Sequence, residues 1–212
     1  MPFGYLGDTS TKIKQQVKNN GLISVTDNLD LTSKGIDSGS LELIDESNHS
    51  GDVNTIEFNS IKESKYDVHL LQIQNFAFDS GIGRIGVQLR EAGTYETSTV
   101  YHYFVQYQES TGGNGGQKQT AYEYMQLEFQ LSNAGTMNAY AYLYNLGDSS
   151  KYSFMTFQEQ LHTSSYASSR FGGGMLPQTS VVDGIRIMRS GSGNFTSFNI
   201  KLYGIKKWVP WD

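Results

Sequence analysis

The residues able to do chemistry in this chain are few and scattered. Its four histidines, His49, His69, His102 and His162, never fall at metal-ligand spacing, and no cysteine exists to complete a thiolate zinc site. His69 shares a strand face with Leu71 and Ile73, which predicts a core or boundary histidine rather than a ligand. The segment GIGRIG, Gly81 to Gly86, fits the G-x-G-x-x-G pattern of dinucleotide sites. A pyrophosphate there needs a helix N-terminus, whereas RIGVQLRE alternates as a strand, so a hairpin turn is expected. Neither G-x-S-x-G nor H-E-x-x-H occurs. Glycoside hydrolysis needs only two carboxylates separated in space, and Glu57, Asp67, Glu128 and Glu159 lie on or beside strand-like runs. Outward glutamates on a half-exposed sheet are ordinarily solvated, and that is the expectation for these four. No catalytic, cofactor or metal site is predicted, and the chain is read as a non-enzyme.

A second group could bind rather than react. Tyr140, Tyr142 and Tyr144 alternate with Ala139, Ala141 and Leu143. If the Ala/Leu face is inner, three tyrosines form a row that could meet another subunit or stack on sugar rings, since tyrosine joins a large apolar area to a polar tip. If it is outer, they fill the core. Both arrangements satisfy the alternation.

The composition shows what must position these groups. The 212 residues can bury one sizeable core, and fourteen Tyr, eleven Phe and twenty-three Gly against 17% charged residues favour strands and glycine turns. A net charge of −5 and dispersed lysines and arginines argue against nucleic acid as a partner. No apolar run approaches the ~18 residues of a membrane span, and no basic-then-apolar export signal follows Met1-Pro2-Phe3-Gly4.

Period-two alternation recurs from about Gly39. It places Ile85, Val87 and Leu89 opposite Arg84, Gln88 and Arg90. It sets Met125, Leu127, Phe129 and Leu131 opposite Gln126, Glu128 and Gln130, and it turns Phe198, Ile200 and Leu202 away from Asn199, Lys201 and Tyr203. About ten such runs, separated by turn signals, predict an all-β fold: an antiparallel, jelly-roll-like β-sandwich over 37–207. The glycine-rich STGGNGGQKQ and SSYASSRFGGGM read as mobile loop tips.

The two ends depart from this pattern. Asp8, Thr9 or Ser10 can cap a short helix over about 10–18, stopped by Asn19, Asn20 and Gly21. A helix below ~12–15 residues does not hold alone in water. Residues 1–36 are therefore read as a docking arm presenting Phe3, Tyr5, Leu6, Ile13 and Val17. The tail 208–212 adds Trp208 and Trp211 as a second set of groups for partner docking.

MPFGYLGDTSTKIKQQVKN, YDVHLLQIQNF, YAYLYNLGDSSKYSFMTFQ and GNFTSFNIKLYGIKK together resemble segments of virion structural proteins of tailed bacteriophages, especially those of cyanobacteria and marine hosts, including a tail-fibre-like β-sandwich domain. The resemblance implies a structural protein of the tail, baseplate or fibre apparatus, made in the host cytoplasm and resident in the virion, acting in assembly and host-surface attachment. It implies other virion proteins as partners, several copies per particle and a host-surface glycan as a further partner. It supplies no catalytic residues. A carbohydrate-binding module or glycan-active enzyme on the same fold is the alternative, and a capsid decoration protein is a further one, because a fold does not select a function.

Overall fold

The computed structural model describes residues 41–79, 83–131 and 135–205, and of 128–131 the backbone alone. The proposed arm 1–36, its helix and the tail 208–212 lie outside the described residues, as do the seven residues assigned to partner docking. The described chain is all-β, and no helix in it is long and apolar enough to cross a membrane.

Thirteen strands follow one another: β1 (Leu41–Val53), β2 (Thr55–Phe58), β3 (Val68–Phe78), β4 (Gly83–Glu91), β5 (Thr94–Tyr95), β6 (Tyr101–Glu109), β7 (Asn114–Tyr122), β8 (Met125–Leu131), β9 (Gly135–Tyr144), β10 (Ser153–Thr163), β11 (Ala167–Leu176), β12 (Val182–Gly191) and β13 (Phe195–Ile205). They form two antiparallel sheets. The larger has the order β1-β13-β3-β9-β10-β11-β6-β7, and the smaller has β2-β12-β4-β5 with β8 also paired to β4.

Alternation sorts the side chains of most strands. In β10, Ser153, Met155, Phe157, Glu159, Leu161 and Thr163 are buried, while the residues between them are exposed. In β13, Phe198, Ile200 and Leu202 are buried as expected. One apolar cluster draws on both sheets, with Leu71, Ala141 and Ile200 from the larger and Phe58, Val87 and Ile187 from the smaller. Phe76 of β3 and Phe195 of β13 meet within it at a ring separation of 4.6 Å. Burying each such side chain contributes about 1.5–3 kcal/mol.

Two expectations are overturned here. The glycine-rich segments are loop tips only at 110–113 and 164–166: Asn114–Tyr122 is the edge strand β7, and Ala167–Leu176 is β11, paired to β10 on one side and β6 on the other. Glycine serves close approach at this point. A Cβ on Gly174 would stand 2.7 Å from Met125 Cγ and 2.8 Å from the His102 carbonyl oxygen. The second correction concerns Gln88 and Gln126, expected outside and found buried. β8 pairs with β4 and also packs against β6, β10 and β11, so it has no solvent face at Gln126. Gln88 donates to the Glu123 carbonyl oxygen at 3.0 Å, which satisfies its buried amide. The count of about ten strands also falls short of thirteen, chiefly because the glycines of β7 and β11 carry a loop signature.

His69 is buried against the core, and its Nε2 lies 2.8 Å from the Ile61 carbonyl oxygen, which assigns the ring proton to Nε2. Burial holds its pKa below the ordinary histidine value. The unfolded chain then takes up a proton near pH ~6.5 that the folded chain refuses, so this group's contribution to stability is present above that pH and is lost as pH falls below it. Melting temperatures of the wild type and His69→Gln measured between pH 5 and pH 8 are expected to converge toward the acid end. Parallel curves would show that His69 does not titrate between the two states.

Candidate functional site

The alternation of β9 settles the tyrosine row. Ala139, Ala141 and Leu143 are buried in the core, while Tyr140 is exposed and Tyr142 and Tyr144 are half-exposed, so the core-filling arrangement does not occur. Tyr140 and Tyr142 meet edge to face with centroids 5.9 Å apart, and Tyr142 and Tyr144 lie 6.4 Å apart. The row stands on the outer face of the larger sheet, near its middle.

Strand register extends that row across the sheet. Tyr144 is flanked by Val68 on β3 and Phe154 on β10, and Phe154 by Met175 on β11. Tyr142 continues a rung running from Leu43 through Tyr203 and Leu70 on one side, and through Thr156 and Gly173 to Phe104 on the other. Phe104 is 56% exposed and belongs to a contiguous apolar patch with Phe154 and Tyr142. Tyr140 belongs to a different rung, between Gln72 and Gln158, followed by Phe171 and Gln106. Beyond it, Asn138, Gln160, Ser169, Gln108 and Asn114 occupy successive strands from β9 to β7, and Asn48, Asn199 and Gln74 occupy β1, β13 and β3. One half of the face is therefore aliphatic and aromatic, the other is made of amides, and Tyr140 stands at their boundary.

No aspartate, glutamate, lysine or arginine occupies an outer position on β3, β9, β10 or β11. Charges enter only at the margins, as Glu46 with Lys201 at 3.7 Å and as Lys118 on β7. The smaller sheet presents the opposite chemistry. Arg186 stacks on the Tyr95 ring at 3.8 Å and meets Glu57 at 2.7 Å, and Arg90 meets Asp183 at 2.7 Å. Burial pushes the Tyr95 hydroxyl up to about 12, so it remains a neutral donor beside these charges.

The four carboxylates of the glycosidase reading separate. Glu57 is engaged by Arg186, Asp67 is exposed ahead of β3, and the Glu128 side chain lies outside the described residues. Glu159, expected to point outward, is instead buried in the interior, opposite Arg170 on the β10–β11 ladder, with a 3.4 Å separation. The reason is its register: it shares the inner face with Met155, Phe157 and Leu161. Burial pushes the Glu159 carboxyl up and pulls the Arg170 guanidinium down to about 10, which still leaves arginine protonated at neutral pH. No described depression is lined by two carboxylates.

The remaining motifs carry no site either. Gly83 to Gly86 of GIGRIG belong to β4, which no helix follows, and Gly81 and Ile82 lie outside the described residues. Among the described residues no three histidine or acidic side chains cluster to hold a metal.

The amide half contains a depression of about 330 Å³ lined by Gln72, Gln74, Asn138, Tyr140, Gln158 and Gln160. It forms where the β3–β9 register shifts between Ile73 and Phe76. Asn75, at φ 49°, bulges there and donates its backbone N–H to Asn138 Oδ1 at 3.0 Å. Tyr140 donates to Gln158 Oε1 at 2.9 Å and Gln160 to Ser169 Oγ at 2.7 Å, which orients the amides. In the apolar half, Phe104 and Phe154 flank a second depression of about 380 Å³ floored by Gly173.

No family model, curated protein or solved structure matches this chain.

Proposed function

We propose that the chain is a structural protein of a tailed-phage particle, in which the two sheets stack as a jelly-roll-like sandwich. The apolar half of the larger sheet's outer face is its contact surface for a neighbouring protein subunit. The observation that carries this reading is the outer face of β3, β9, β10 and β11, which is free of formal charge and rich in tyrosine and phenylalanine, with Tyr140, Tyr142, Tyr144, Phe154 and Phe171. Charge depletion with aromatic enrichment is the compositional mark of the centre of a protein interface. The resemblance of four segments to phage virion proteins supplies the setting, and the amide half of the same face serves host-surface attachment. The arm 1–36 and tail 208–212 belong to the same proposal as further docking elements.

The test separates surface from core. Tyr142→Ser is expected to cost less than about 1 kcal/mol in folding, because the ring packs only on its outer-face neighbours. It is expected to shift sedimentation of the full chain toward the monomer, or to reduce its incorporation into particles. Phe104→Ser should act in the same direction. Unaltered association and incorporation in both variants would overturn the contact surface.

A further inference from the structure

The amide half of the larger sheet's outer face has a chemistry of its own. Asparagine, glutamine and serine occupy a rung on every one of the eight strands, from Asn48 on β1 to Asn114 on β7. At about 4.7–4.9 Å between neighbouring strands, eight strands span roughly 33 Å across the sheet. Each primary amide offers two N–H donors and a carbonyl acceptor, and none carries charge. Such a surface matches a ligand that is itself densely supplied with hydroxyl donors and acceptors. It offers no formal charge to pair with a phosphate, a carboxylate or an ammonium group beyond Glu46 and Lys201, which pair with each other.

We propose that this rung and the depression beside it bind an uncharged polysaccharide laid across the strands. Tyr140 is the aromatic platform and the amides of Gln72, Asn138, Gln158 and Gln160 are the hydroxyl readers. Three observations converge on that occupant. Tyr140 is exposed at the rim of the depression, with its hydroxyl tied to Gln158, so its ring is fixed for stacking against the C–H face of a sugar. The depression, about 330 Å³, falls in the size range of small-ligand sites, large enough for a sugar unit. The length of the rung exceeds what one sugar ring needs, which favours a polymer over a free monosaccharide. A protein partner is the less suitable occupant here, because most of the outward apolar groups that would anchor it, Leu43, Leu70, Phe154 and Phe104, lie in the other half of the face, with Phe171 at the boundary.

The inference rests on reading this face as a binding surface, and the experiment separates its failure from failure of the subunit-contact reading. The full-length chain is titrated by calorimetry or affinity electrophoresis with neutral glucan, galactan and mannan chains of six or more units, and with anionic hyaluronan and alginate as controls. Saturable binding to at least one neutral chain is expected, with little dependence on salt. Tyr140→Ala and Gln158→Ala are each expected to weaken it roughly tenfold or more, whereas Phe104→Ser leaves it unchanged. Binding only to anionic chains, no binding to any neutral chain, or full affinity in both Tyr140→Ala and Gln158→Ala would overturn the proposal. Loss of subunit association in Phe104→Ser with intact sugar binding would support both halves of the face. Intact association with Tyr140-dependent sugar binding would overturn the contact surface alone.

Discussion

Arg170→Met is expected to lower the stability of the domain by about 3–5 kcal/mol, a fall in melting temperature on the order of 10 °C. The arginine is 1% exposed and faces Glu159 across the β10–β11 ladder, so its removal strands a buried carboxylate. The carboxyl escapes part of that cost by taking a proton. Its folded-state pKa already lies above the ordinary glutamate value through burial, and losing the neighbouring cation raises it further. The variant's stability should therefore be highest in acid and should be lost as pH rises from the unfolded glutamate pKa, ~4.3, toward the folded one. Glu159→Leu combined with Arg170→Met removes both charges, and most of the lost stability should return. Thermal melts from pH 4 to pH 8 check all three statements. A single variant as stable as the wild type at pH 7 would refute the structural role of the pair.

Glu159 also shows how a legible position can be misread. Its register with Met155, Phe157 and Leu161 is written in the sequence and places it inside, yet a lone glutamate is so often solvated that composition overrode the pattern. Its partner was harder to see, because SSYASSRFGGGM carries no strand signature. Three consecutive glycines read as a breaker when nothing shows which backbone must come close.

Gly174→Val tests that point and should have the second large effect. The new side chain would press on Met125 and on the His102 carbonyl oxygen, at 2.7 and 2.8 Å from its Cβ alone. Backbone of β6 cannot move aside without breaking its pairing to β11. Overpacking of this kind costs typically 1–3 kcal/mol, and the γ-methyl groups place the expected loss at the upper end, about 3 kcal/mol, despite valine's better strand propensity. Denaturant melts of the two proteins give the difference directly. A valine variant at least as stable as the wild type would show that β11 lies farther from β8 and β6 than described.

The tyrosine row was legible as a row but not as a surface, since alternation defines two faces without saying which is covered. The amide rung was not legible at all. Its members are separated in the chain by up to most of the domain's length, and only the strand order β1-β13-β3-β9-β10-β11-β6-β7 brings them onto one line. Local patterns yielded the all-β class and most of the strands, β5, β7 and β11 excepted. The surface depends on non-local pairing, which leaves no local trace.

The place of β13 within that order has a consequence for how the protein comes into being on the ribosome. β13 is synthesised after every other described strand, yet it lies between β1 and β3, and it carries Phe198, Ile200 and Leu202 into the core. A nascent chain grows at roughly 5–20 residues per second, so β1 waits many seconds with no partner along its length while later strands emerge. Topologies dominated by such distant pairings also fold slowly once complete. Any product cut short before Phe195 exposes an unpaired edge on both β1 and β3, an invitation to pair with a second unfinished chain. Closure of the larger sheet thus waits on the synthesis of β13, and only chains that include that strand achieve it.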